Sequence, residues 1–231
     1  MENIDKQEVK KFSDLAEDWW NQNGDFKPLH VINPLRANYI KEKIELTNKN
    51  ILDVGCGGGL LCEALYDFGG IITGIDAAGP GIEVAKIHAK ENDKNISYYE
   101  KTAEILNEES PESFDVVTCL EVLEHVPDPR SLVKTCVNLL KPGGLLFLST
   151  INKSPRSWIT AIIGAEYIFK LLPKGTHEFN KFIKPSELAS FVRYANAELI
   201  EPKGMFYNPL NHKANLNNDL GVNYLMYARK N

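Results

Sequence analysis

The feature that most constrains the fold is a glycine-rich segment at residues 52–59, which reads LDVGCGGG. A short apolar run at residues 51–54, typical of a buried strand, leads into it, and a helical pattern at residues 60–68 follows. Glycine lets the main chain turn sharply and approach a ligand closely, because no Cβ stands in the way. The segment therefore predicts a strand, a ligand-binding loop and a helix in succession.

The pattern around this loop predicts an α/β fold. Short apolar runs alternate with helical patterns, as in a parallel sheet covered by helices. The predicted strands are residues 51–54, 71–75, 96–100, 114–120, 145–150, 199–207 and 222–229. We expect one domain over residues 1–231, with a helical cap at 1–48 and a helical insert at 153–185 after the fifth strand.

Composition excludes several classes of protein. The net charge of -5 argues against a general nucleic-acid binder, which is usually basic. Glu2, Asp5 and Glu8 argue against a secretory signal and a mitochondrial presequence, and no apolar run is long enough to span a bilayer. We therefore expect a cytoplasmic protein.

Two acids beside the glycine loop indicate the kind of ligand. A dinucleotide-binding loop would have a third glycine where Leu60 stands, and Asp53 suits a cationic group better than a pyrophosphate. The amino group of S-adenosylmethionine is such a cation. Asp76 ends the second strand, where a carboxylate can bind both hydroxyls of a ribose. The alternative for Asp76 is a helix N-cap, and the two roles are compatible.

Four segments of the chain resemble the motif series of class I S-adenosylmethionine-dependent methyltransferases. They are LDVGCGGG, TGID, FDVVTCLEVLEHV and LKPGGLLFLSTIN, and the resemblance covers at least residues 51–152. It implies a Rossmann-like, doubly wound sheet of order 3-2-1-4-5-7-6 with strand seven antiparallel. The two predicted C-terminal strands fit this ending.

Three further segments, at residues 26–40, 119–129 and 149–185, resemble the ubiquinone-biosynthesis O-methyltransferases. This resemblance implies two O-methylations, one of a polyprenyl-substituted hydroxyphenol of catechol type and one of 3-demethylubiquinol. It also implies a polyprenyl phenol or quinol substrate and association with other enzymes of ubiquinone biosynthesis.

The resemblance also implies cofactor contacts at particular positions. Arg36 would bind the cofactor carboxylate with its planar donor fork, and Leu120 would touch the adenosine part. The alternatives are a solvated helix arginine and an ordinary core leucine. Together with the acid and the glycines of the loop, the predicted cofactor-binding residues are Arg36, Asp53, Gly55, Gly57, Asp76 and Leu120.

Removing the proton from a phenolic acceptor of pKa near 10 costs roughly 4 kcal/mol at neutral pH. A metal ion could offset this cost by stabilising the phenolate. Glu121, Glu124 and His125 have i, i+3, i+4 spacing, so a helical turn would place them on one face, and such ligands suit a divalent ion. The resemblance implies magnesium there. The alternative is an acidic helix start that complements the helix dipole.

A general base is the other way to offset that cost. The candidate catalytic residues are His177, His125 and Glu121. The alternative for His177 is an exposed loop histidine, and the alternative for His125 is packing at a helix end.

The insert contains an apolar stretch at residues 157–172 with lysines and arginine around it. Such a stretch is typical of a helix lying in an anionic membrane interface, which would place the protein on the inner face of the cytoplasmic membrane. A lid over the site is the alternative, and both can hold. Other interpretations of the whole chain are a soluble catechol as acceptor, a non-catalytic cofactor-binding module and an NAD oxidoreductase.

Overall fold

The computed structural model describes residues 3–157 and 179–231. The strands are β1 (Asn50–Val54), β2 (Ile71–Asp76), β3 (Ser97–Glu100), β4 (Phe114–Leu120), β5 (Leu140–Ile151), β6 (Ala197–Asn208), β7 (Lys213–Asn217) and β8 (Asn223–Lys230). The helices are α1 (Lys6–Asp14), α2 (Lys27–Lys43), α3 (Leu60–Asp67), α4 (Gly79–Glu91), α5 (Ala103–Glu109), α6 (Pro129–Leu139) and α7 (Pro185–Tyr194). In this part of the chain no helix is long and apolar enough to cross a membrane.

The strands form one sheet of order β3-β2-β1-β4-β5-β8-β6-β7. The first five strands pair in parallel, and their near-continuous burial explains the apolar runs in the sequence. Parallel strands bring their carboxyl ends to one edge of the sheet. The ends of β1, β2 and β4, which carry most of the predicted site residues, therefore meet at that edge.

The predicted strand order is confirmed, with one strand added. The predicted sixth and seventh strands are β6 and β8, and β8 is antiparallel to both of its neighbours. The addition is β7, which pairs with β6 and lies between the predicted strands at residues 199–207 and 222–229. In this strand Ala214 and Leu216 alternate with exposed or half-buried polar residues. The pattern did not predict a strand, because asparagine is rare in strands.

Helices cover both faces of the sheet. One core cluster joins α5, α6 and α7 to the sheet through residues such as Leu106, Leu132 and Leu188. The other joins α2, α3 and α4 through residues such as Ile40 and Leu65. Burial of these apolar surfaces stabilises the sheet and holds its carboxyl edge as a rigid platform.

The N-terminal segment crosses this edge. In the predicted helical cap, α1 ends at Asp14 and a 3-10 turn (Ala16–Asp18) follows. The ring of Trp19 stacks on Phe26 at 4.2 Å between centroids, and both are buried with Leu60 at the start of α3. The segment is thus packed against the helix that follows the glycine loop.

Most of the predicted insert, including the apolar residues 158–172 and His177, lies outside the described residues. The lid and membrane-contact interpretations of residues 153–185 therefore stay predictions, as does the division into cap and insert.

Candidate active site

A cavity of about 450 Å³ opens at the carboxyl edge of the sheet. Its wall brings together every predicted cofactor-binding residue and all three predicted metal ligands. These residues are Arg36, Asp53, Gly55, Gly57, Asp76, Leu120, Glu121, Glu124 and His125. Residues more than 80 positions apart in sequence thus share one cavity, as expected where parallel strands end together.

The glycine loop forms the floor of the cavity. Gly55, Gly57 and Gly59 have φ of +73°, +51° and +87°, a region that side chains disfavour. The N–H groups of Gly55 and Cys56 both donate to the Ile75 carbonyl oxygen, at 2.8 and 3.0 Å. These bonds hold the turn against the end of β2 and expose its backbone to the cavity.

The Asp76 carboxylate ties this loop to the next helix. Its two oxygens accept hydrogen bonds from the N–H of Gly57 at 2.9 Å and of Ala78 at 2.7 Å. Burial raises the pKa of Asp76, and these backbone hydrogen bonds oppose that rise. The alternative role of Asp76 as the N-cap of α4 is not observed, because the N-cap is Ala78 and the helix has no side-chain capping bond; Asp76 instead holds the backbone of that N-cap residue. Each carboxylate oxygen has a second lone pair, which leaves acceptors for a ligand hydroxyl.

Asp53 is held deeper in the wall. Its oxygens accept from Thr118 Oγ1 at 2.6 Å and Cys62 Sγ at 3.4 Å. Burial raises the pKa of Asp53 to about 6. A buried carboxylate is costly without a counter-charge, so a ligand cation in the cavity would stabilise its charged form.

Arg36 is the cation of the same wall and is only 5% exposed. Its Nε has no hydrogen-bond partner among the residues that the structure describes. Burial lowers the pKa of Arg36, while the charges of Glu121 and Asp53 raise it. A buried guanidinium with an unmet donor indicates a place for an anionic ligand group.

Two further buried polar atoms in the cavity wall belong to residues that were not among the predicted site residues. Trp19 Nε1 and Glu104 Oε1 have no hydrogen-bond partner in the described part of the chain. Trp19 continues the helical spacing of Val9, Phe12 and Ala16, which is typical of a buried apolar face and gives no sign of a ligand contact. Glu104 lies in the first turn of α5, where acids are common, so the local sequence does not single it out.

The helical face predicted for the three metal ligands is wrong. Glu121 has φ +57°, so the helix cannot include it, and the 3-10 turn is limited to Leu123–His125. Glu121 Oε1 accepts from Ser149 Oγ at 2.8 Å, and Glu124 Oε2 accepts from Thr150 Oγ1 at 2.7 Å.

The three side chains therefore point to separate partners. Burial, together with the charge of Glu121, raises the pKa of Glu124 to about 7. Within residues 3–157 and 179–231, no three His, Cys, Asp or Glu side chains are placed to hold a metal ion. The donor set in this arrangement does not fit the predicted magnesium ion.

His125 instead pairs with a residue that the sequence did not indicate. Its Nδ1 lies 2.8 Å from Oε2 of Glu8 on α1, and the ring of Phe12 meets it edge-on. The hydrogen bond to His125 is the main reason that the pKa of Glu8 falls to about 2. Lys11 and Lys181 lie 3.8 Å from the same carboxylate. No local pattern links positions that are 117 residues apart.

The rest of the wall is mostly apolar. Side chains of α1, of the segment after β4 and of the end of β5 contribute, among them Val9, Phe12, Val122, Val126 and Ile151. Tyr207 of β6 and Asn223 of β8 complete this side. The cavity thus joins a charged end at the glycine loop to an apolar end beneath α1.

A family model described as a methyltransferase domain matches residues 30–201. The chain is 54% identical over 229 residues to a ubiquinone biosynthesis O-methyltransferase of Saccharophagus degradans, covering 99% of this chain and 97% of the relative. It is 52% identical to the protein of the same name from Pseudomonas entomophila, with coverage of 98% and 97%.

Solved structures agree on the fold. A methyltransferase of Thermotoga maritima, described as a possible histamine N-methyltransferase, superposes with a TM-score of 0.69 at 17% identity, covering 96% of this chain and 99% of that one. The magnesium protoporphyrin IX methyltransferase of Synechocystis, solved with bound S-adenosylmethionine, gives 0.68 at 15% identity with coverage of 99% and 98%. The matching family model and the near-full-length relatives show that the chain is an S-adenosylmethionine-dependent methyltransferase that belongs to the ubiquinone biosynthesis O-methyltransferase family.

Proposed function

We propose that the chain methylates a phenolic oxygen of polyprenyl-substituted, catechol-type intermediates and catalyses both O-methylation steps of ubiquinone biosynthesis. The observation that carries the proposal is a cavity with a charged end that suits the cofactor and an apolar end that suits a substituted ring. The names of the relatives at 54% and 52% identity support the choice of acceptor.

The charged end orients the cofactor. Arg36 binds the cofactor carboxylate and Asp53 its amino group, so each buried charge gains an oppositely charged group of the ligand. Asp76 accepts from the ribose hydroxyls, while Gly55 and Gly57 let the backbone approach the ligand. Leu120 packs on the adenosine part. When bound, S-adenosylmethionine supplies a methyl group on a cationic sulfur.

His125 takes the proton of the acceptor. At neutral pH the Glu8 carboxylate can only accept a hydrogen bond, so Nδ1 of His125 is the donor. A neutral imidazole that donates from Nδ1 accepts a proton at Nε2, and the charge of Glu8 then stabilises the imidazolium. Glu121, oriented by Ser149, is the second candidate. His177 stays a predicted candidate outside the described residues.

Positioning supplies the rest of the rate enhancement. Holding acceptor and donor in line can lower a barrier by roughly 7–11 kcal/mol. In this chain α1 covers the cavity, and Glu8 fastens it to the segment after β4 through His125. Closure of this kind excludes water from the reacting atoms.

Magnesium has no step in this mechanism, because Glu121, Glu124 and His125 engage separate partners. A chelator is therefore expected to leave turnover unchanged. A sharp loss of turnover with chelator, restored by magnesium, would show that these side chains rearrange around a metal ion.

A polyprenyl acceptor resides in a bilayer, so the enzyme must meet a membrane surface. We assign one such contact to the predicted insert at residues 153–185, and expect other enzymes of the pathway to be its partners. The apolar residues and the flanking lysines of the insert support this assignment.

A methyl-transfer assay tests the proposed function. Purified protein is given S-adenosylmethionine and, in separate reactions, a short-chain demethylubiquinol and a short-chain hydroxyphenol of catechol type. We expect methylated product from both acceptors in the wild type. Binding of the cofactor without product from either acceptor would refute the proposal, and product from one alone would refute the claim that both steps belong to this enzyme.

A further inference from the structure

The hairpin formed by β6 and β7 borders the active-site cavity. β6 runs antiparallel to β8, which is itself antiparallel to β5, so β6 ends at the same edge as β5. Tyr207, next to the end of β6, lines the cavity, and its hydroxyl lies 2.7 Å from Nδ1 of His212 in the hairpin connection. The hairpin tip is thus linked directly to the cavity wall.

One face of the hairpin packs against the core, and the opposite face and the tip carry exposed apolar side chains. Met205 is buried and Leu216 is partly buried in the core cluster on the α2 side. On the opposite face Phe206 is 48% exposed, and at the tip Leu210 is 80% exposed. Isolated exposed apolar residues are ordinary on protein surfaces, but two on one hairpin whose Tyr207 lines the cavity call for a partner.

The charge of the distal part of the hairpin, which follows Glu198 and Glu201 of β6, indicates which partner it would bind. Residues 202–218 contain no Asp or Glu, although the chain has a net charge of -5. The same stretch contains Lys203, His212 and Lys213. Lys203 pairs with Glu201, whereas Lys213 is exposed and has no ion pair among the described residues. A cationic stretch with exposed apolar side chains complements an anionic lipid surface.

We propose that the β6–β7 hairpin docks the enzyme on anionic membranes, with Phe206 and Leu210 entering the interface and Lys213 facing the lipid headgroups. This docking surface is separate from the predicted insert at residues 153–185. It rests on the proposed function, because only an acceptor with a lipid tail requires the cavity mouth to face a bilayer. Docking there would bring Tyr207 and the apolar end of the cavity to the membrane.

Vesicle binding of the full chain tests the surface. The variant Phe206→Ser/Leu210→Ser is compared with the wild type on vesicles of phosphatidylglycerol and phosphatidylcholine, by cosedimentation. Its matched control is Ile87→Ser/Tyr99→Ser, which removes one aliphatic and one aromatic residue of 58% and 46% exposure from α4 and β3. All variants are also assayed with a water-soluble short-chain acceptor in the absence of lipid.

We expect the hairpin variant to bind anionic vesicles about tenfold more weakly or worse, since each side chain loses its burial in the interface. Lys213→Glu should weaken binding about fivefold or more. The control pair should bind as the wild type does, and all variants should turn over the soluble acceptor equally, because the substituted residues lie outside the cavity wall.

Three results would overturn the docking surface: wild-type protein that ignores anionic vesicles, equal binding to neutral and anionic vesicles, or a hairpin variant that binds as the wild type does. Failure of the proposed function is recognised separately. In that case neither the wild type nor any variant would methylate the soluble acceptor. The weaker vesicle binding of the hairpin variant would still support the hairpin as a membrane contact.

Discussion

Glu8 Oε2 and His125 Nδ1 lie 2.8 Å apart, and this contact joins the first helix to the segment that follows β4. Both side chains are about 15% exposed and line the same cavity. The pair has two consequences: it orients the imidazole toward the tautomer that accepts a proton at Nε2, and it holds α1 over the cavity.

The first prediction concerns this pair. His125→Ala should reduce kcat by about a hundredfold or more, the usual contribution of a general base. Glu8→Gln keeps a hydrogen-bond acceptor but removes the charge that stabilises the imidazolium, so we expect a loss of about tenfold. Steady-state kinetics measure both. Asp14→Asn at the exposed end of the same helix is the control, and equal kcat for all three variants would exclude His125 as the base.

Arg36 should dominate recognition of the cofactor carboxylate. Arg36→Met removes the charge-assisted hydrogen bonds and should weaken S-adenosylmethionine binding by about 10- to 100-fold in calorimetry. The stability of the ligand-free protein should change little, because the loss of a buried charge whose Nε has no partner in the described residues is offset by the loss of the counter-charge to Asp53 and Glu121.

Arg193→Met, on the exposed surface of α7, is the control for the loss of an arginine. A variant at position 36 that binds the cofactor normally but unfolds more easily would show that Arg36 is structural.

Asp53 should make the ligand-free protein less stable as pH rises. Its folded pKa of about 6 lies above its ordinary value of 3.8, so the folded state holds the proton more tightly. The folded state therefore loses stability between these two pH values, and above about pH 6 the loss is complete, up to about 3 kcal/mol.

Denaturation of the wild type and of Asp53→Asn across this range measures the effect. The free energy of unfolding of the wild type, relative to the variant, should fall as pH rises, while the variant should bind S-adenosylmethionine poorly at neutral pH. A difference that is constant with pH would mean that Asp53 is not penalised by its burial.

The glycine loop should not tolerate a side chain beneath Trp19. A Cβ at Gly58 would overlap the Cγ and Cδ1 atoms of this ring, which is itself stacked on Phe26. Gly58→Ala should therefore destabilise the protein by about 1–3 kcal/mol and change the tryptophan fluorescence. At Gly81 the added Cβ would be 3.4 Å from the Gly57 carbonyl carbon, an ordinary contact. Gly81→Ala should be tolerated, and equal effects of the two substitutions would contradict the packing.

Local patterns sufficed for the features that depend on neighbouring residues. Buried parallel strands are continuous apolar runs, so the strands and the residues at their ends, such as Asp53 and Asp76, could be predicted. The order of the strands in the sheet came from the resemblance to class I methyltransferases. Their meeting around one cavity follows from the topology.

The remaining features depend on tertiary contacts or on single backbone angles. The positive φ of Glu121 breaks the helical turn that its spacing suggested. The pairing of β7 with β6 overrides the low strand propensity of asparagine. The contact of Glu8 with His125 and the placing of Trp19 over the loop require the N-terminal segment to cross the sheet edge, which no periodicity encodes.

The most direct test of the central claim follows the methyl group itself. The enzyme is given S-adenosylmethionine labelled with ¹³C at its methyl group and a short-chain demethylubiquinol, and the product is analysed by NMR. The proposed function predicts label in a new methoxy group on the ring, with one label per product. Label on a ring carbon, or none in the quinol despite cofactor binding, would contradict it.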